Sequence, residues 1–160
     1  MPSVGPTPSD IMFILEAPGY RELEDGIPLI GPAGRLWERE LMAPVGLDRR
    51  NVFIANTCGC VDLSREDRRP LPAELDACRP RLLEDIETCN PQVILTMGNI
   101  AQQFFFPGTT VGKIRGRIRN WNGRLVIPTY HPAAALPHRS PEVKPLIVED
   151  LRTAISLLKK

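Results

Sequence analysis

The sequence predicts an α/β fold: a single-domain, three-layer α/β/α sandwich around a mostly parallel, four-stranded central sheet. Three observations carry that expectation. Four short apolar runs, at 11–14, 51–55, 92–97 and 125–127, have the length and composition of buried strands. Segments with helical apolar spacing separate them, and strands alternating with helices make parallel sheets covered on both faces. The chain has 160 residues, 42% of them hydrophobic, enough for one core without staples. It reads as one domain over 1–160.

Taken in order, Met1 to Asp10 holds three prolines and two serines and predicts an extended lead-in. Ile11-Met12-Phe13-Ile14 is the first strand, and Leu15-Glu16-Ala17-Pro18-Gly19 follows it directly. Pro18-Gly19 forces an immediate turn, so Glu16 is presented at the carboxyl rim of the sheet. Tyr20 to Gly34 reads as a loop, and a loop of that length is more often functional than decorative. Arg35 to Met42 reads as a helix through Leu36, Trp37, Leu41 and Met42. The second strand ends in Asn56-Thr57-Cys58-Gly59-Cys60, followed by a polar, arginine-rich loop from Val61 to Pro72. Ala73 to Thr88 is a helix with Leu75, Cys78, Leu82 and Ile86 on one face. The third strand leads to a short helix from Gly98 to Phe106. Lys113 to Arg124 is the one concentrated basic segment, with Lys113, Arg115, Arg117, Arg119 and Arg124 and no acid. The fourth strand runs into Pro128-Thr129-Tyr130-His131-Pro132, and a last helix spans Val143 to Lys160. Its inner face should carry Leu146, Leu151, Ile155 and Leu158.

Composition narrows the functional classes. The charged fraction of 24% and the formal net charge of +1 are those of a soluble globular protein and neither demand nor exclude nucleic acid. No apolar run reaches membrane-span length, and the first residues lack a charged-then-apolar leader pattern. No membrane partner, a cytoplasmic location and a monomer are expected. In that compartment the four cysteines are thiols or metal ligands rather than disulfides.

Three polar clusters, around Glu16, Asn56 and His131, each follow a strand. In a parallel sheet those ends share one edge, so an acid, an amide and an imidazole can converge on one pocket. Each also has a plainer reading: a solvated acid before a turn, a loop-capping asparagine, a structural histidine before a proline. Their conjunction makes the catalytic reading competitive.

Five collinear motifs resemble the uracil-DNA glycosylase superfamily, closest to its family-4 branch and phage-type relatives. They are Glu16-Ala17-Pro18-Gly19 with Glu22; the Gly26-x-Pro28-x-x-Gly31-x-Ala33-Gly34 loop; Asn56 four residues before Cys60; Cys78-x-Pro80-x-Leu82; and Thr129-Tyr130-His131-Pro132. Arg115-Gly116 adds to them. The resemblance implies a monofunctional DNA glycosylase that flips a uracil or modified pyrimidine out of DNA and leaves an abasic site. It makes Asn56 the reader of the base edge and His131 the donor to the base's O2. Glu16 would stabilise the sugar cation, and either Glu16 or Glu22 could position the attacking water. Ala17, Gly19 and Leu29 would line the base pocket. Gly31, Ala33 and Gly34 would offer backbone amides to a DNA phosphate, with Arg115 and Arg117 adding sequence-blind contacts. No lysine near a motif suggests Schiff-base chemistry, so a one-step hydrolase is implied.

Departures from the family pattern define an alternative. Leu29 stands where a phenylalanine usually stacks on the base, Leu15 where glycine is usual, and Ala133 where a serine often contacts phosphate. They leave open a catalytically altered protein of the same fold that binds DNA or a nucleobase. Cys60 and Cys78 match two of the four ligand positions of the family-4 iron–sulfur (4Fe-4S) cluster. Residues 1 to 15 contain no cysteine. No metal and no cofactor is therefore expected, with Cys89 a small buried apolar residue.

Overall fold

The computed structural model describes residues 2–59 and 69–159. Its centre is β1 (Ile11–Leu15), in which every residue is buried. β2 (Phe53–Asn56) pairs with it in parallel on one side and β3 (Val93–Met97) on the other. β5 (Arg124–Thr129) lies parallel to β3, and β4 (Arg119–Trp121) closes the far edge antiparallel to β5. The order is β2-β1-β3-β5-β4.

The α/β sandwich expected from the sequence is therefore present, with one correction: the sheet has five strands, not four. β4 is too short, too polar and too exposed to announce itself as an apolar run. Trp121 secures it by meeting Phe105 edge-to-face at 5.1 Å.

Strand side chains alternate between two cores, as the period of two requires. Ile11, Phe13, Leu15, Leu95 and Met97 face one layer. That layer is built from α2 (Pro32–Leu36), its π-helical continuation Trp37–Met42, and α6 (Lys144–Ser156). Met12, Ile14, Ile94 and Val126 face the other layer, with Leu82, Ile86 and Cys89 of α3 (Pro72–Cys89) and Ala101 of α4 (Asn99–Gln103). In the lead-in, Val4 bridges Ile54 through two backbone hydrogen bonds.

Two further expectations need correcting. The stretch 20–34 is not all loop. It contains α1 (Tyr20–Asp25) and the start of α2, joined through Gly26. α1 buries none of its residues, so it shows no apolar stripe. The inner face of α6 carries Leu151, with Ile155 and Leu158 packed partly buried against the core as expected, but Ile147 rather than Leu146 is buried there, beside Asp150 and Ala154. A buried aspartate interrupts the apolar pattern that would have marked it.

Asp150, 1% exposed, organises that side of the fold. It accepts hydrogen bonds from Thr129 Oγ1 at 2.6 Å and from Arg115 Nη2 at 2.7 Å. Arg115 follows α5 (Val111–Ile114) and also reaches Glu149 and the Leu146 carbonyl. The guanidinium expected along DNA is thus engaged inside the molecule. Arg119 donates to the Phe105 carbonyl, and Arg124 pairs with Glu87. Arg117 remains exposed. Removing one partner of a buried pair strands the other charge. Arg115→Ala should therefore cost about 3 kcal/mol in denaturant unfolding, whereas Arg117→Ala should stay within about 0.5 kcal/mol.

Candidate active site

Because β1, β2, β3 and β5 are parallel, their carboxyl ends share one edge. Residues Leu15, Asn56, Gly98 and Tyr130-His131 fall there. The β1 and β2 exits are laced together. Leu15 O accepts from both the amide and the hydroxyl of Thr57, at 2.8 and 2.6 Å, and Glu16 O accepts from Cys58 N. Between these ends lies a cavity of about 370 Å³. Its walls include Ala17, Gly19, Glu22, Leu29, Asn56 and His131, with Gly31 and Ala33 at α2. A second cleft adjoins it through Ala17–Gly19 and His131, and adds Glu16, Arg69 and Arg139. The structure thus gathers Glu16, Asn56 and His131 on one rim, with Glu16 in the adjoining cleft.

His131 caps the 3₁₀ turn Pro132–Ala135, its Nδ1 accepting from Ala133 N at 3.0 Å. That bond places the imidazole proton on Nε2. Burial, reinforced by the nearby Arg139 and opposed by Glu22, pushes its pKa down to about 4. At neutral pH the residue is an uncharged Nε2–H donor.

Asn56 ends β2 at 5% exposure. Its backbone carbonyl accepts from Arg81, while its carboxamide has no hydrogen-bond partner among the described residues. It is held in place yet chemically unspent.

Glu16 turns toward the start of α4, where Ile100 N approaches its Oε1 at 3.5 Å. Burial raises its pKa, and the Ile100 amide and Arg69 oppose that rise. Gly98 is obligatory beneath it. Its φ is +98°, and a Cβ there would lie 2.5 Å from Glu16 Oε1.

Glu22 does something the sequence did not suggest. Its Oε1 accepts from both Ile30 N and Gly31 N at 3.1 Å, so one of the three amides expected to meet phosphate, that of Gly31, is committed to a side chain of the same chain. Gly34 packs under the Leu29 carbonyl, where a Cβ would approach to 2.0 Å. Leu29 itself is 5% exposed at φ +58°, a conformation that costs a leucine roughly 1–2 kcal/mol. Tyr20, Arg21, Leu136 and Arg139 also line the two clefts without having been singled out in the sequence. Arg139 stands near enough to act on His131 electrostatically, and no local pattern marks it.

Of the cysteines, Cys60 lies outside the described residues. Cys78 Sγ donates to Cys58 Sγ at 3.7 Å, and Cys89 is buried at the end of α3. Among the described residues no three histidines, cysteines or acids converge. No described helix is long and apolar enough to cross a membrane.

An amide, an imidazole and a carboxylate thus stand together on the carboxyl rim of an open, mostly parallel sheet. Residues 2–152 match the family described as the uracil DNA glycosylase superfamily. The chain is 38% identical over 161 residues to the type-4 uracil-DNA glycosylase of Saccharolobus solfataricus, covering 95% of this chain and 73% of that one. It is 40% identical over 153 residues to the type-4 uracil-DNA glycosylase of Thermotoga maritima, covering 94% and 78%. A DNA polymerase of Bacillus phage SP01 is 28% identical over 160 residues, 99% of this chain and 17% of that protein. The chain belongs to the uracil DNA glycosylase superfamily and is an enzyme of the DNA glycosylase class.

The depressed histidine makes stability depend on pH. Between about pH 4 and the usual ~6.5 the unfolded chain binds a proton at this residue that the folded chain refuses. Stability should therefore rise with pH across that window and be complete above it, by on the order of 2–3 kcal/mol. His131→Gln should flatten that part of the profile in thermal melts recorded from pH 4 to 7. An unchanged slope would show that the imidazole titrates normally.

Proposed function

We propose that this enzyme hydrolyses the N-glycosidic bond of a flipped uracil or modified pyrimidine in DNA and leaves an abasic site. The observation that supports it most is the uncharged His131, its Nδ1 anchored by Ala133 N and its ring in a cavity shared with Asn56.

Cleavage drives negative charge onto the departing base. A fixed Nε2–H near the base's O2 stabilises that charge without first carrying a competing positive charge. Asn56 supplies what a pyrimidine edge requires, an acceptor for N3–H and donors for O4. The ionised form of Glu16 stabilises the developing sugar cation and orients the water. Glu22 is less suited to hold water, since one of its oxygens already binds two amides. Among the described residues neither cleft is lined by a lysine, which fits one-step hydrolysis rather than a Schiff base. DNA supplies the partner, its backbone crossing the cleft between Arg69 and Arg139, with Arg117 as an outlying contact. Arg115 serves the scaffold.

Oligonucleotides carrying uracil or modified pyrimidines, single-stranded and duplex, followed by alkaline cleavage, test the reading. Strand breaks are expected with uracil or one of its relatives. DNA binding without breaks on any substrate would instead favour a binding protein that keeps the fold and lacks the reaction. His131→Ala should lower kcat by about two to three orders of magnitude with binding nearly intact. Asn56→Asp should damage both binding and turnover, because a carboxylate cannot donate to O4. Glu16→Gln should lower the rate rather than the affinity. Arg139→Gln should reduce the salt dependence of binding by about one logarithmic unit.

A further inference from the structure

We propose that Arg49, which belongs to none of the motifs, is a positioning residue that sets the base-facing wall of the pocket by holding Leu29 in its left-handed conformation. The inference rests on the glycosylase reading and assigns a specificity device to the same site.

Arg49 opens a 3₁₀ turn, Arg49–Asn51, capped by Asp48, and this lifts its side chain toward the pocket loop. There it makes four contacts. Nη1 donates to Pro28 O at 2.8 Å, and Nη2 donates to Leu29 O. Nε pairs with Glu38, and the guanidinium lies 5.2 Å from the centre of the Trp37 ring. The planar fork is thus fixed by a carboxylate and a ring while two of its arms hold successive carbonyls, a role lysine cannot copy. From the other side Glu22 holds the amides of Ile30 and Gly31. Gly34 leaves room for the Leu29 carbonyl and nothing else.

A leucine at φ +58° persists only where its surroundings over-determine it. Released, Leu29 would move toward ordinary backbone angles and carry its side chain away from the wall of the base cavity. Small displacements of this kind erode rate and selectivity together.

A double-mutant cycle separates this role from general support of the fold. Arg49→Met should lower kcat/KM on the preferred base roughly 10–100-fold and narrow its preference over other pyrimidines. Arg49→Lys should recover only part of either. In a Leu29→Gly background, where residue 29 adopts positive φ freely, Arg49→Met should cost less than about threefold. Leu29→Asn, also tolerant of positive φ, provides a second background if the glycine variant is too slow. Thermal midpoints measured across the same cycle should show the same non-additivity. Equal losses in both backgrounds, in rate and in midpoint, would overturn the assignment. Unsubstituted enzyme inert on every base would sink the glycosylase reading instead, and the thermal cycle would then decide this inference alone.

Discussion

Parallel pairing around β1 is the constraint on which the rest of this structure depends. The strand is buried along its whole length, so its first polar residue can emerge only at the carboxyl end. Its register with β2 sets Leu15 opposite Asn56, and the pairing of β3 with β5 sets Met97 opposite Thr129. Glu16, Asn56 and His131 therefore meet at one edge although the last two are far apart in sequence. A one-residue slip would turn the apolar side chains of a strand to the opposite layer. The same contacts that build the core thus place the chemistry.

At that edge, burial is the main electrostatic lever. It lowers the pKa of His131 and raises that of Glu16, which separates a neutral donor from an acid whose charge is held under tension. Backbone amides refine the result. Ala133 N fixes the histidine tautomer, and Ile30 and Gly31 amides tie Glu22 to the pocket loop. Several arginines serve the scaffold: Arg115 ties the end of α5 to α6, and Arg49 donates to the Leu29 carbonyl. A near-neutral chain can still meet DNA, because cations such as Arg139 stand at the cleft rather than in the interior.

Much of this was legible in the sequence, and the parts that were not share a physical cause. Apolar runs reveal strands whose faces are both buried, so β1, β2, β3 and β5 were readable, and polar residues after them marked the rim. β4 and α1 bury too little to leave a periodic trace. The inner face of α6 was only partly read: Leu151, Ile155 and Leu158 pack on the core, but the buried charge of Asp150 among them leaves no apolar signal. Its partner Arg115 lies 35 residues away, and no local pattern reports such a pairing. Arg49 acts on backbone carbonyls, which every residue carries, so nothing in the sequence marks its targets. Glu22 lines the cavity, but its grip on two amides depends on a fold of the loop that spacing alone does not specify.

The central claim is that one rim presents a neutral histidine and an unspent amide to the same base. Nitrogen-15 NMR of the imidazole and carboxamide groups, recorded at pH 6 with and without free uracil, tests it most directly. The account predicts a His131 ring protonated on Nε2 alone, with its signal and the Asn56 side-chain signal both shifting on addition of uracil. A His131 imidazolium at that pH, or uracil that shifts signals away from this rim and leaves both residues unmoved, would contradict it.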